Sequence, residues 1–242
     1  MEFKKFSGKA GSFNFTNDGK IGKPEEGLNY YSKLVLDEAS ASTTHQANGT
    51  VEEVLLHLAL CHSVIIDKRT NKMNSASPDE LALVEGASSQ GFEFEGKDAD
   101  GIISIKRKRD GQILRFELLN TLEFDSARKR MSVILKDLQT QEITLLCKGA
   151  DSIIKERLDL SGLNKLEMAT TQKYVDAYAE EGLRTLLLAK KSLDKSYYSE
   201  WNERFQEAIA SIVGKDEKVE AVQSEIESGM TLVGSTAIED KL

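Results

Sequence analysis

Apolar and polar residues alternate along the middle of the chain, between residues 92 and 148. Such a period of two is typical of β-strands with one buried face. The alternating apolar residues are Phe92 and Phe94, Ile103 and Ile105, Leu114, Phe116 and Leu118, Met131, Val133 and Leu135, and Ile143, Leu145 and Cys147. Asp110 and Gly111, between two of these runs, are typical of a hairpin turn. We therefore predict an antiparallel sheet in this part of the chain.

Helical spacing of apolar residues occurs on both sides of this region. The predicted helices span residues 30–39, 51–61, 78–90, 151–158, 168–181, 197–212 and 215–226, and further strands cover residues 183–189 and 232–233. In the third helix Ser77 is a candidate N-cap, Pro78 follows it, and Glu80 completes a capping box. Asp151 is a candidate cap of the fourth. The pattern predicts an α+β fold, an antiparallel β-sheet flanked by helices.

Two polar stretches, about residues 7–29 and 40–50, show no apolar periodicity, and we predict that both are flexible. The sequence has 242 residues, of which 40% are hydrophobic and 30% are charged. That length is sufficient for a full hydrophobic core. Length alone leaves open whether the chain forms one large domain or two small ones.

The net charge of −8 argues against a protein that binds nucleic acid over a broad surface. Cys61 and Cys147 both lie in apolar runs, which predicts buried thiols in a reducing compartment. The longest apolar stretch, residues 54–66, is interrupted by polar side chains and is too short to cross a bilayer. Because the net charge is negative, any basic site in this protein has to be confined to a small part of its surface.

A candidate site of this kind follows the third run of alternating residues. Phe124, Ser126 and Arg128–Arg130 place an aromatic ring, a hydroxyl and three cations within seven residues. A ring that stacks on a base contributes about 1–3 kcal/mol in nucleic-acid complexes, and cations attract phosphates. The alternative is that Phe124 is a core aromatic and the cations are a solvated strand end. Taken alone, the segment slightly favours this alternative.

Two further cations lie next to apolar strands. Lys148 ends one strand and is followed by Gly149, where a ligand can approach the backbone closely. Its alternative is a strand-end lysine whose stem packs on apolar surface while its ammonium reaches water. Arg184 follows Gly182, and its alternative is a cation that meets a helix C-terminus. We expect no metal site, because His57 and Cys61 have no further ligands nearby.

The ordered set of motifs closely resembles the type IV P-type ATPases, the phospholipid flippases. The matching segments are Ser77–Val84, Phe124–Ile134, Lys148–Asp151, Glu181–Leu186 and Thr236–Leu242. They occur in the family's order and with compatible spacing, and they cover most of the chain. The resemblance implies that residues 1–242 are a single domain, the nucleotide-binding (N) domain alone, excised from a larger pump.

On the adenine side, the resemblance implies four cofactor-binding residues. Phe124 would stack on the adenine ring, and Lys148 would lie deep in the pocket near the ring and the ribose, followed by Gly149. Glu80 would contact the adenine amino group while still capping its helix. These residues together would hold the adenosine part of ATP.

On the phosphate side, the resemblance implies four more. Ser126 and Lys129 would line the ribose and the phosphates, and Arg184, with Thr185 beside it, would reach toward the β-phosphate. Mg²⁺ would accompany the nucleotide and be ligated mainly outside this chain. No catalytic residue is expected, because the phosphorylation motif DKTGT does not occur in the sequence.

The resemblance also implies a setting for the chain. We expect a cytoplasmic domain of an integral membrane protein, with the phosphorylation and actuator domains of the same pump, and possibly an accessory subunit, as partners. The isolated chain is expected to be a monomer that binds ATP without turnover and binds no nucleic acid. Two other functions stay open: a regulatory module whose basic rim docks an acidic partner or a lipid headgroup, and a free-standing ATP hydrolase.

Overall fold

The computed structural model describes residues 1–9, 11–14, 51–67, 69–70 and 72–240. Its strands are β1 (Glu2–Gly8), β2 (Gly11–Asn14), β3 (Ile65–Asp67), β4 (Lys72–Asn74), β5 (Phe92–Lys97), β6 (Ile102–Arg107), β7 (Gln112–Leu122), β8 (Arg130–Asp137), β9 (Ile143–Gly149), β10 (Arg184–Leu193) and β11 (Thr231–Glu239). Its helices are α1 (Val51–Leu60), α2 (Pro78–Ser89), α3 (Asp151–Lys155), α4 (Gly162–Glu180), α5 (Lys195–Ala210) and α6 (Lys215–Ile226).

One large sheet organises the described part of the chain. Nine strands form it, in the order β2-β1-β11-β10-β9-β8-β7-β6-β5, and the neighbouring strands are antiparallel. The remaining two strands, β3 and β4, pair as a separate hairpin. The predicted α+β fold with an antiparallel sheet flanked by helices is confirmed. No described helix has the length and apolar character needed to cross a bilayer.

Hydrophobic cores lie on both faces of the sheet. On β10, Leu188 packs in the first core with residues of α1 and α2. Its neighbours Leu187 and Ala189 pack in the second core with residues of α3 to α6. Successive side chains of a strand point to opposite faces, so Lys148, which follows Cys147 of the second core, faces α1 and α2. The sheet thus separates the surroundings of Lys148 from α6.

Three helices differ from the prediction at their starts, and the smallest difference is that α5 begins at Lys195, two residues earlier than predicted. The long helix α4 begins earlier than predicted, at Gly162. Leu163 and Leu166 in its first turns are 72% and 65% exposed, so they do not follow the buried spacing on which the prediction depended. Asp151 is the first residue of α3 rather than its cap, and the residue before it makes no side-chain capping bond.

The last strand is much longer than the predicted strand at residues 232–233, because β11 continues to Glu239. Ser235 and Thr236 are fully buried between β1 and β10. The Ser235 hydroxyl shares a 2.6 Å hydrogen bond with the Ser7 hydroxyl of β1. A central strand buried on both faces does not alternate between apolar and polar residues. Apolar spacing therefore did not identify the polar part of β11 as a strand.

The start of the predicted flexible stretch at residues 7–29 is wrong. β1 extends to Gly8, and Gly11–Asn14 form β2, which pairs with it. The rest of that stretch, the predicted helix at 30–39 and the predicted flexible stretch at 40–50 lie outside the described residues.

Candidate functional site

The loop between β7 and β8, residues 123–129, presents an aromatic ring to solvent. The Phe124 side chain is 64% exposed, so the alternative that it is a core aromatic is wrong. The loop has internal hydrogen bonds: the Ala127 amide donates to the Asp125 carboxylate at 2.6 Å, and the Lys129 amide donates to the Asp125 carbonyl at 2.7 Å. The ring therefore stands on a loop with its own hydrogen-bonded structure.

Two of the three cations in this segment are not at the rim where the sequence placed them. Arg128 and Arg130 are 8% and 3% exposed, and both pair with Glu227, which is fully buried. Arg128 Nη2 lies 2.6 Å and Arg130 Nε 2.7 Å from its carboxylate oxygens. Of the three, only Lys129 is exposed. The alternative function, a regulatory module that docks its partner on a basic rim, depended on these charges. Most of them are buried and are not available at the rim.

Lys129 also contacts the end of β9 through its backbone. It has a left-handed backbone conformation with φ of 52°, and its carbonyl accepts a 3.0 Å hydrogen bond from the Ala150 amide. A Cβ atom added to Gly149 would lie 2.7 Å from that carbonyl oxygen and 2.7 Å from Cβ of Arg130. Gly149 therefore allows the loop, rather than only a ligand, to approach β9 closely.

Lys148 is part of a buried ion pair with Glu80. Its ammonium donates to Glu80 Oε1 at 2.6 Å and to the Cys61 carbonyl at 2.7 Å. Both residues of the pair are 7% exposed, so Lys148 is not a strand-end lysine that reaches into water. The other Glu80 oxygen accepts from the Ser63 amide at 3.0 Å and the Ser63 hydroxyl at 2.6 Å.

This pairing changes the predicted capping box of α2. The Glu80 amide donates to the Ser77 hydroxyl at 3.4 Å, as an N-cap requires. The Glu80 carboxylate, however, turns to Lys148 and Ser63, and the Ser77 amide donates to the Ser75 hydroxyl instead. Half of the capping box is therefore present, and the carboxylate belongs to the site.

The ion pair controls the protonation of Glu80. Burial raises the pKa of Glu80, but the charge and hydrogen bond of Lys148, together with the two Ser63 bonds, outweigh burial and hold it below the ordinary value. Burial and the nearby Lys148 charge lower the pKa of His62 to about 4. At neutral pH Glu80 is therefore ionised, His62 is neutral, and Lys148 supplies the positive charge.

Arg184 lies at the start of β10, and its side chain is exposed. It donates to the Asp79 carboxylate at 2.6 Å and to the Asp240 carboxylate at 3.3 Å. The Asp79 hydrogen bond and charge raise the pKa of the guanidinium further. Thr185 beside it is half-buried. Two successive residues in the first turn of α2 thus form ion pairs: Asp79 with Arg184 and Glu80 with Lys148.

The sheet brings these residues to one edge. β8 starts at Arg130, which pairs with Gly149 at the end of β9. Gly149 in turn pairs with Leu187, three residues after the start of β10 at Arg184. Antiparallel neighbours therefore place the aromatic loop, Lys148 and Arg184 along the same edge. Sequence reasoning missed Ser63 and Asp79 as their partners, since a single serine after a helix carries no pattern of its own.

A cavity of about 490 Å³ adjoins this edge. It is lined by His62, Ser63, Val64, Ile65, Ile66, Phe94, Glu95, Gly96, Lys97, Ile103, Leu118, Thr121 and Glu123. None of the eight predicted site residues lines it. Ser63 bonds to Glu80, and Glu123 precedes Phe124, so the cavity neighbours the site without containing it. Among the described residues, no group of His, Cys, Asp and Glu is arranged to hold a metal ion.

The sequence of this fold matches a known class of domain. Residues 50–242 match the family described as P-type ATPase, cytoplasmic domain N, and the chain belongs to this family.

The relatives that it matches are phospholipid-transporting ATPases. The chain is 40% identical over 220 residues to the phospholipid-transporting ATPase dnf2 of Schizosaccharomyces pombe, a match that covers 90% of this chain and 15% of that protein. It is 45% identical over 192 residues to the probable phospholipid-transporting ATPase 7 of Arabidopsis thaliana, which covers 76% of this chain and 15% of that protein. The chain thus spans about 15% of the length of these relatives.

Proposed function

We propose that this chain is the ATP-binding domain of a phospholipid-transporting P-type ATPase. It would hold the adenosine part of ATP and present the γ-phosphate to an aspartate of a phosphorylation domain outside this sequence. The observation that carries the proposal is the exposed Phe124 ring on a hydrogen-bonded loop, at the sheet edge that also carries Lys148 and Arg184. An exposed ring beside fixed charges fits a nucleotide, which needs a stacking face and polar contacts at its edges.

On the adenine side, the hydrogen-bond donors and acceptors that the ion pair leaves unused support the proposal. An ammonium has three donors, and a carboxylate oxygen accepts more than one hydrogen bond. Lys148 uses two donors in the described residues, on Glu80 and on the Cys61 carbonyl. Glu80 Oε1 accepts from Lys148 and, as a carboxylate oxygen, could accept a second bond from an adenine amino group. Phe124 would cover the face of the ring, and Gly149 keeps the loop close to Lys148.

On the phosphate side, the exposed polar groups are Ser126, Lys129 and Arg184, with Thr185 next to the last. Arg184 is already paired with carboxylates, and a phosphate would replace one of them in the same charge-assisted geometry. Mg²⁺, which neutralises phosphate charge during transfer, would accompany the nucleotide with ligands mainly outside this chain. The phosphorylation and actuator domains, and an accessory subunit if one exists, would be partners in the whole pump at the cytoplasmic side of the membrane.

The proposal predicts weak binding, because one ring face and a few polar groups hold the nucleotide. A millimolar dissociation constant corresponds to about −4 kcal/mol. An NMR titration of the chain with ATP should shift the amide signals of Phe124, Lys148 and Gly149, and no phosphate should be released. Absence of any shift at about 10 mM ATP, ten times the expected constant, would contradict the proposal.

Phe124→Ala tests the stacking face without disturbing the core. We expect this variant to weaken ATP binding at least about fivefold, because stacking on an aromatic ring contributes about 1–3 kcal/mol per base. Leu163→Ala is the matched control, since Leu163 is an apolar residue of α4 with a similar exposure, 72% against 64% for Phe124. Equal dissociation constants for the two variants would refute the role of the ring.

A further inference from the structure

A buried ionic cluster lies behind the aromatic loop, on the opposite face of the sheet from Lys148. Its centre is Glu227, the C-cap residue that follows the last residue of α6, and this side chain is fully buried. One carboxylate oxygen accepts from Arg128 at 2.6 Å and from the Ser132 hydroxyl at 2.6 Å. The other accepts from Arg130 Nε at 2.7 Å. One acidic side chain thus accepts hydrogen bonds from two guanidinium groups and a hydroxyl.

The cluster is connected to the loop by further bonds of the same arginines. Arg128 donates to the Glu123 carbonyl at 3.4 Å and to the Gln223 side chain at 2.6 Å. Arg130 donates to the Arg128 carbonyl at 3.1 Å. The Arg128 guanidinium therefore joins the beginning of the loop to α6, while Arg130 joins its end to the same carboxylate.

The two arginines flank the residue with the most constrained backbone of the loop. Lys129 has φ of 52°, which is disfavoured for a residue with a side chain. Its carbonyl receives the 3.0 Å bond from Ala150 that ties the loop to the end of β9. Glu227 binds the side chains of the residues before and after Lys129. The buried carboxylate therefore constrains the backbone conformation of Lys129 in the loop.

We propose that Glu227 is a positioning residue for nucleotide binding, which acts through Arg128 and Arg130 to fix the loop that carries Phe124 and Lys129. The inference rests on the proposed function. Replacing a buried ion pair by apolar residues often leaves stability unchanged or raises it, so stability alone does not require this cluster. Both carboxylate oxygens of Glu227 are hydrogen-bonded, although Arg128 Nε has no partner among the described residues. Charge-assisted hydrogen bonds of this kind restrict the geometry of the groups that they join, and a binding loop needs such support from the residues around it.

Glu227→Gln tests the inference, with Ile226→Val as its control. The amide keeps the size of Glu227 but removes the charge and one of the acceptor oxygens. We expect the dissociation constant for ATP to rise about tenfold, the lower end for loss of a group that orients direct ligands. In the absence of nucleotide, amide hydrogen exchange at Lys129 and Ala150 should become faster. Ile226→Val trims a buried side chain of the same helix and should change neither quantity.

A second variant covers the case in which Glu227→Gln does not fold. Glu227→Gln combined with Arg130→Gln restores the native net charge of the cluster, yet leaves Arg128 without its carboxylate. It should fold and still bind ATP about tenfold more weakly. Native affinity and native exchange in either folded variant would overturn the inference. A native chain that does not respond to ATP would refute the proposed function instead, and the exchange comparison would then decide whether Glu227 holds the loop.

Discussion

Lys148→Met removes the positive charge of the buried ion pair while keeping a long apolar stem. The Glu80 carboxylate then stays buried without its cation, at 7% exposure. Removing one partner of a buried pair costs about 3–5 kcal/mol. The two Ser63 hydrogen bonds to the other Glu80 oxygen remain, so we expect the lower end of this range, about 3 kcal/mol.

The loss should depend on pH in a direction that the structure determines. In the native protein Lys148 holds the pKa of Glu80 below its ordinary value. The pair therefore stabilises the fold above the unfolded pKa of about 4.3, and this contribution disappears as the pH falls through the folded pKa. In the variant, burial raises the pKa of Glu80 and only the Ser63 hydrogen bonds oppose it, so the pKa lies above its native value. The penalty is therefore largest at neutral pH and is relieved on acidification.

The assay is urea unfolding of the native chain and the variant at about pH 7.5 and about pH 5.0, because a buried carboxyl group whose pKa is raised becomes more protonated as the pH falls. For a protein of this size, a loss of about 3 kcal/mol corresponds to a Tm lowered by about 6–12 °C. Lys108→Met, at an exposed hairpin end, should change the unfolding free energy by less than about 0.5 kcal/mol. A deficit for Lys148→Met below about 1 kcal/mol, or one that does not shrink on acidification, would refute the reasoning.

Two further predictions concern the packing around the site. Gly149→Ala should destabilise the fold by about 1–3 kcal/mol, because the new Cβ would lie 2.7 Å from the Lys129 carbonyl oxygen; urea unfolding measures this, and native stability would show that the loop moves aside freely. Burial raises the pKa of the Cys61 thiol to about 12 and raises that of Cys147 as well. Neither thiol should react with a disulfide reagent at neutral pH before unfolding, and fast labelling of the native chain would contradict this.

Much of the fold could be predicted from apolar spacing, since β5 to β9 are successive hairpins with one repeating pattern. The predicted helix at 215–226 agrees with α6, Lys215–Ile226. The first turns of α4 and the polar centre of β11 could not be predicted in this way. Leu163 is exposed although it is apolar, and Ser235 is buried although it is polar. Both depend on which neighbours the tertiary structure supplies.

The candidate site was predictable only in part. A sequence pattern identifies a ring, a lysine before a glycine and an arginine after one, but it does not say where a charge is satisfied. Arg128 and Arg130 were expected at the rim of the sheet. Their partner is instead Glu227, which lies 99 and 97 residues further along the chain. Such distant pairing has no local signal, so the distinction between an available and a buried cation required the structure.

The ion pair lies between two helix ends of opposite polarity. The Lys148 ammonium bonds to the carbonyl that follows the last residue of α1, where the aligned peptide dipoles present negative charge. Glu80 lies in the first turn of α2, where they present positive charge. The backbone therefore stabilises each ion in addition to its partner. A nucleotide bound at this edge as proposed would meet an electric field that the fold has already set, and would need no reorganisation of these charges.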